Sequence, residues 1–261
     1  MNYIFILDLD GTVIGNCIFQ CEIYNIENIL KKNAIKCNYS NLLNKAYHEK
    51  SKLLRPYFLY FYNTIKSKFP NSYFYVYTAS DKKWALKEIN IIEKQNNIKF
   101  NRPIFTRNNC ILASDGTYKK SIKKILKKKI NNSQIIVIDN NSVYIDFTDN
   151  LIICPTYNYK FFHNLWDLFP SNCINNKNIQ FYIERLIKNN ILCPFNNNSI
   201  NIKYKTEAYK WLYNICLNIK NDNKHINDDF WKKITDYIVN NNITSFNKNS
   251  IKSIKSNLLL S

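Results

Sequence analysis

Four short strand-prone runs, at residues 3–7 (YIFIL), 73–77 (YFYVY), 134–138 (QIIVI) and 151–154 (LIIC), punctuate the first 154 residues, with longer stretches between them. Each run is almost continuous in β-branched and aromatic residues, the pattern of a strand covered on both faces. Strands that alternate with helices form βαβ units, which assemble into a mainly parallel sheet with right-handed crossovers. The expected fold is therefore α/β, a Rossmann-like parallel sheet flanked by helices.

The intervals carry the helices. From Cys21 to about Leu54 apolar residues recur at helical spacing, as in Ile23, Ile26, Ile29 and Leu30, which predicts one or two helices. Arg55-Pro56 opens another through about Lys68, with proline in the first turn, where its missing N–H costs nothing. Ser80 or Asp81 is placed to cap a helix bearing Trp84, Leu86, Ile89 and Ile92. Residues 98–118 are irregular, with short β candidates on either side of an Asp115-Gly116 turn that suggest a hairpin, and a lysine-rich helix is expected over 119–129. After Pro170 the pattern becomes helical, at 177–189, 206–220 and 228–241, followed from about Asn240 by what reads as a loosely ordered tail. This divides the chain into a sheet-bearing domain, 1–170, and a helical C-terminal extension, 171–261.

No run of eighteen uncharged apolar residues exists, and the N-terminus enters a strand-like segment directly, so neither a membrane span nor a secretion signal is expected. The eight cysteines are scattered, which fits a reducing, intracellular setting, cytoplasmic or nuclear, and Cys17 and Cys21 lack the further ligands of a zinc site. Net charge is +18, which favours phosphate-bearing partners and keeps nucleic acid among them. An abundance of Asn, Ile, Lys and Tyr, the mark of an AT-rich coding sequence, supplies a second reading of the same charge.

In an open parallel sheet, ligands bind beyond the carboxyl ends of the strands. Asp8 and Asp10 follow the first strand, Thr78 and Ser80 the second, Asp139 and Asn140 the third. Crowded acidic groups raise one another's pKa or require a cation between them, and magnesium, which prefers oxygen ligands and bridges carboxylates to phosphate, answers that requirement. A carboxylate can then act as nucleophile in aspartyl-phosphate chemistry.

At these residues the sequence resembles a family. Asp8-Leu9-Asp10-Gly11-Thr12 resembles the DxDxT motif of haloacid-dehalogenase (HAD) type phosphotransferases. Leu54-Arg55-Pro56, Tyr77-Thr78-Ala79-Ser80, Tyr118-Lys119-Lys120 and Ile138-Asp139-Asn140-Asn141-Ser142 are similar to segments of the FCP/SCP group, protein serine phosphatases acting on the RNA polymerase II C-terminal domain. The resemblance spans about residues 1–170. It implies that Asp8 attacks phosphorus, that Asp10 protonates the leaving oxygen and later activates water, and that Thr78, Ser80 and Lys120 bind the phosphoryl group. It implies further that Asp8, the backbone carbonyl of Asp10, and Asn140 ligate Mg2+, supported by Thr12 and Asp139, and that the substrate is a phosphorylated protein or peptide. Lys119 competes with Lys120 for the lysine position. The sequence departs from the group at Gly11, usually Glu, at Tyr57, where glycine follows Arg-Pro, at Ser121, often acidic, and after Ser142, where the usual proline is missing. Two alternatives to a serine phosphatase stay open: a phosphatase of nucleic-acid 3′ or 5′ ends, and a binding protein on a catalytically retired fold of this type.

Overall fold

The computed structural model describes residues 2–15, 53–126, 131–159 and 227–260, with the single residues Lys32 and Lys177. The helices expected between Cys21 and Leu54, at 177–189 and at 206–220, the cysteines at 17 and 21, and the three histidines fall outside the described residues.

A four-stranded parallel sheet forms the centre: β1 (Tyr3–Leu7), β2 (Ser72–Val76), β5 (Ile135–Asp139) and β6 (Leu151–Ile153), in the order β2-β1-β5-β6. Register runs Leu7 against Val76 on one side and against Ile138 on the other, so the two neighbours of β1 end level with it. Successive side chains alternate between faces. Phe5, Leu7, Phe74, Val76, Ile136 and Ile138 point into one core, Ile6, Ile135 and Val137 into a second.

Helix α1 (Phe58–Lys68) buries Phe58, Phe61, Tyr62 and Ile65, positions i, i+3, i+4 and i+7, so its aromatic stripe is core. Helix α2 (Lys82–Asn96) starts at Asp81, whose carboxylate accepts from the N–H groups of Lys83 and Trp84. The irregular stretch forms the expected hairpin, β3 (Ile111–Leu112) and β4 (Tyr118–Lys119), antiparallel around Gly116. The lysine-rich helix is shorter than expected: α3 covers Ile122–Ile125, and 127–130 lie outside the described residues.

The outer side of β2 is engaged without another strand. Phe74 donates its N–H to Asn101 Oδ1 and accepts at its carbonyl from the Asn101 N–H, both at 2.7 Å. Val76 accepts from the Phe105 N–H at 2.9 Å, and Phe105 in turn accepts from the Thr78 N–H at 3.0 Å.

The C-terminal segment corrects the sequence expectation. In place of a loosely ordered tail after Asn240, helix α4 (Phe230–Asn240) is followed by a second helix, α5 (Lys248–Leu260). Sparse Ile and Leu in an Asn/Lys/Ser-rich stretch conceal the reason: Phe246, Ile251 and Ile254 are fully buried in the same core as β1 and α1. Phe246 packs on Tyr3, Phe5 and Phe69, and its backbone is held by Ser133 and by the Asn150 amide. Tyr3 also donates its hydroxyl to the Thr244 carbonyl at 2.6 Å. Since this segment completes the core, Phe246→Ala is expected to destabilise the protein by about 3–5 kcal/mol in a single cooperative urea transition. Separate melting of the C-terminal helices would contradict a shared core.

Candidate active site

The three strand tips converge on a cavity of about 580 Å3, lined by Asp8, Asp10, Thr78, Ser80, Lys120, Asp139 and Asn140, all seven expected to touch substrate or metal or to support the site. Thr12, the remaining expected residue, lies fully buried behind Asp8 and Asn140.

The loop after β1 is tightly wound. The Leu9 carbonyl accepts from the N–H groups of Thr12, Val13 and Ile14, and Gly11 adopts φ +79, the left-handed region that glycine enters without a Cβ penalty. Gly15 is required for a different reason: a Cβ there would lie 2.1 Å from the Tyr159 carbonyl oxygen. Its importance was invisible in the sequence because the close approach comes from a segment 144 positions away.

Lys120 is the lysine that enters. It leaves the hairpin at the end of β4, is 2% exposed, and donates from Nζ to Asp8 Oδ1 and Asp139 Oδ2, both at 2.7 Å. Burial opposes its charge, but Asp8, Tyr144 and Asp139 outweigh that and hold its pKa well above the ordinary lysine value. The Tyr77 and Tyr144 rings lie 5.5 and 5.6 Å from the ammonium. Lys119 remains on the partly exposed strand.

Asp10 is held by Ser80 Oγ at 2.5 Å and by Thr78 Oγ1 at 3.4 Å, both donating to Oδ2, while Thr78 Oγ1 accepts from the Ser80 N–H. Burial, with Asp8 beside it, raises the Asp10 pKa to about 6 against the lowering by Ser80. Burial and Asp8 likewise raise Asp139 to about 6, against the pull of Lys120. Asp139 also accepts from the Asn141 N–H at 2.8 Å, so its carboxylate faces the lysine. Thr12 Oγ1 accepts from the Asn140 N–H at 3.1 Å and donates toward Asp8 Oδ2 and Asn140 Oδ1 at 3.3 and 3.4 Å.

The donor chemistry fits a hard divalent cation. Two carboxylates, Asp8 and Asp139, share one ammonium, and Asp8, Asp10 and Asn140 bring oxygen atoms to the same cavity. Among the described residues no group of three His, Cys, Asp or Glu side chains is arranged to hold a metal; one carboxylate, a backbone carbonyl at Asp10 and an amide oxygen suit magnesium, which keeps several waters.

Compared with known protein families, residues 3–171 match the model of the NLI interacting factor-like phosphatases. The chain belongs to this family. It is thereby a phosphatase-type domain of the HAD superfamily. No curated protein matches the sequence. Two solved structures are similar at low identity. One is the RNA polymerase II CTD phosphatase Fcp1-R271A of fission yeast bound to beryllium fluoride: 14% identity, 92% of this chain, 66% of that one, TM-score 0.38. The other is Fcp1, described as an essential RNA polymerase II CTD phosphatase: 16% identity, 96% of this chain, 69% of that one, TM-score 0.39. The chain thus spans about two thirds of the length of each.

Departures from the family's motifs have local explanations. Tyr57, standing where glycine is usual, adopts φ +62 at the start of α1, so the backbone demand remains although the residue has changed. Ser121 Oγ donates to Asp146 Oδ2 at 2.6 Å and caps α3, so an acid reaches this place from Asp146. Sequence reading missed Arg107 and Trp84, which also line the cavity. Arg107 donates from Nε to the Ala79 carbonyl at 2.8 Å, and its guanidinium carbon lies 5.4 Å from the Tyr118 ring centroid. It sits in an irregular segment where neither periodicity nor a spaced motif marks it.

Gly15→Ala is expected to cost about 1–3 kcal/mol or more, since backbone carbonyls yield less readily than side chains. A urea midpoint equal to that of the unsubstituted protein would show that residues 157–159 can move aside.

Proposed function

We propose that the protein is a magnesium-dependent phosphomonoesterase that works through an aspartyl-phosphate on Asp8, with phosphoserine in a protein or peptide as substrate. The observation that carries this reading is the buried Asp8–Lys120–Asp139 cluster facing the cavity opposite Asp10 and Asn140. The Lys120 ammonium, 2.7 Å from Asp8 Oδ1, fixes the direction of that carboxylate, and a fixed, aimed carboxylate is suited to nucleophilic attack. Lys120 offsets the negative charge of the incoming phosphoryl oxygens, and Thr78 and Ser80 offer hydroxyls on the facing side.

Asp10 is the acid–base group. A carboxyl whose pKa is raised to about 6 retains a proton near neutrality better than an ordinary aspartate, which lets it protonate the leaving oxygen and afterwards draw a proton from water. Asp8, Asp10 and Asn140 are the residues that would hold magnesium, which when bound supplies positive charge to the phosphoryl oxygens. Arg107, beside Tyr118 at the cavity mouth, adds a cation suited to an acidic or phosphorylated substrate. Resemblance to the FCP/SCP group makes a peptide like the RNA polymerase II C-terminal domain the first substrate to try. The net charge of +18 keeps phosphorylated nucleic-acid ends in the same panel.

The test is hydrolysis of para-nitrophenyl phosphate, phosphopeptides and 3′- or 5′-phosphorylated oligonucleotides. Asp8→Asn is expected to lower turnover about a thousandfold or more, and Asp10→Asn about a hundredfold or more. Chelation with EDTA is expected to abolish activity and added magnesium to restore it. Turnover surviving Asp8→Asn would refute the nucleophile. Oligonucleotide cleavage without phosphopeptide cleavage would move the substrate to nucleic acid.

A further inference from the structure

Helix α4 lies outside the segment matched by the family model, yet two contacts from its N-terminal end reach one residue of the catalytic loop. The first runs through side chains. Asp228 binds the fully buried Arg55 guanidinium with both oxygens, at 2.8 Å to Nε and 2.8 Å to Nη2. Arg55 Nη1 donates to Cys154 Sγ at 3.5 Å, and the Cys154 thiol donates to Thr12 Oγ1 at 3.7 Å. The second is direct: Trp231 Nε1 donates to the Thr12 carbonyl at 3.3 Å.

From these contacts we infer that Asp228 and Trp231 are positioning residues, holding Thr12 so that its hydroxyl orients Asp8 and Asn140. The inference rests on the phosphatase reading for its catalytic consequence, though not for its geometry. A hydroxyl has one proton and two lone pairs. With Cys154 and the Asn140 N–H as donors, both lone pairs of Thr12 Oγ1 are occupied, and its proton can point only to Asp8 or Asn140. Burial pushes the Cys154 thiol up to about 11, so it keeps the proton it donates. Apolar residues of similar volume can replace a buried ion pair with little loss of stability, so stability alone does not require Arg55 and Asp228. Placement of Thr12 does.

The experiment uses the full chain, with kcat and KM measured on para-nitrophenyl phosphate and folding followed by thermal melting. Asp228→Asn and Trp231→Phe are expected to lower kcat about ten- to a hundredfold with KM little changed, because a small misplacement of reacting groups acts on the transition state. Asp228→Glu should recover much of the loss. Asp236→Asn, which breaks the exposed pair with Lys232 on the same helix, should leave kcat unchanged. A folded Asp228→Asn protein with unaltered kcat overturns the inference, as does an equal loss in Asp236→Asn. If Asp228→Asn does not fold, Cys154→Ala interrupts the chain of contacts one step later and is judged by the same criteria. Should the unsubstituted protein hydrolyse nothing, the phosphatase reading fails by itself. Hydrogen exchange at the Asn140 amide then decides the positioning role: about tenfold faster exchange in the variant supports it, and unchanged exchange refutes it.

Discussion

Lys120 between Asp8 and Asp139 is the contact on which the site depends. Two carboxylates buried at the ends of adjacent strands would repel each other, and burial with Asp8 alongside raises the pKa of Asp139. One ammonium, itself 2% exposed and flanked by two tyrosine rings, allows them to share a small volume. The cost of burying all three is recovered only by their mutual attraction and by the hydrogen bonds on the remaining oxygens from Thr12 and the Asn141 amide. The sheet register places Leu7 level with Ile138, so Asp8 and Asp139, which follow them, begin from the same height. The hairpin then has to deliver the lysine from outside the sheet, which explains why an otherwise irregular segment contains two short paired strands.

A second theme is the joining of distant segments to this centre. Residues 228–254 do not flank a finished catalytic domain; they supply Trp231, Ile234, Phe246 and Ile251 to the core under β1. Arg55 lies between Asp228 on one side and Cys154 on the other, with the Phe230 ring 4.8 Å from its guanidinium carbon. A helix distant in sequence thus acts on the loop that bears Asp8.

Much of the sheet and most of the site were legible in the sequence, for physical reasons. Buried parallel strands must be apolar throughout, and functional polar residues in an open α/β sheet collect beyond the carboxyl ends of its strands; both marks survive in a single sequence. Asp8, Asp10, Thr78, Asp139 and Asn140 were therefore visible as strand endings. Lys120 could not be separated from Lys119 by composition, because the choice depends on which side of a two-residue strand faces the carboxylates. Gly15 and Arg107 take their roles from segments far away in the chain or from backbone carbonyls, and neither leaves a periodic trace. The final helix was misread because only a few apolar residues anchor it, and their spacing is diluted by Asn, Ser and Lys.

The outer margin of β2 bears on how an extended chain could approach the cavity. Peptide grooves often work by lending a bare strand to the guest, which adds itself to the sheet through main-chain pairing. Here Asn101 engages both main-chain groups of Phe74, and Phe105 the carbonyl of Val76, so these groups are not open to a guest strand. A guest approaching the cavity along this margin therefore meets side chains instead of a bare strand, with Trp84, Arg107 and Tyr118 among those that line the cavity.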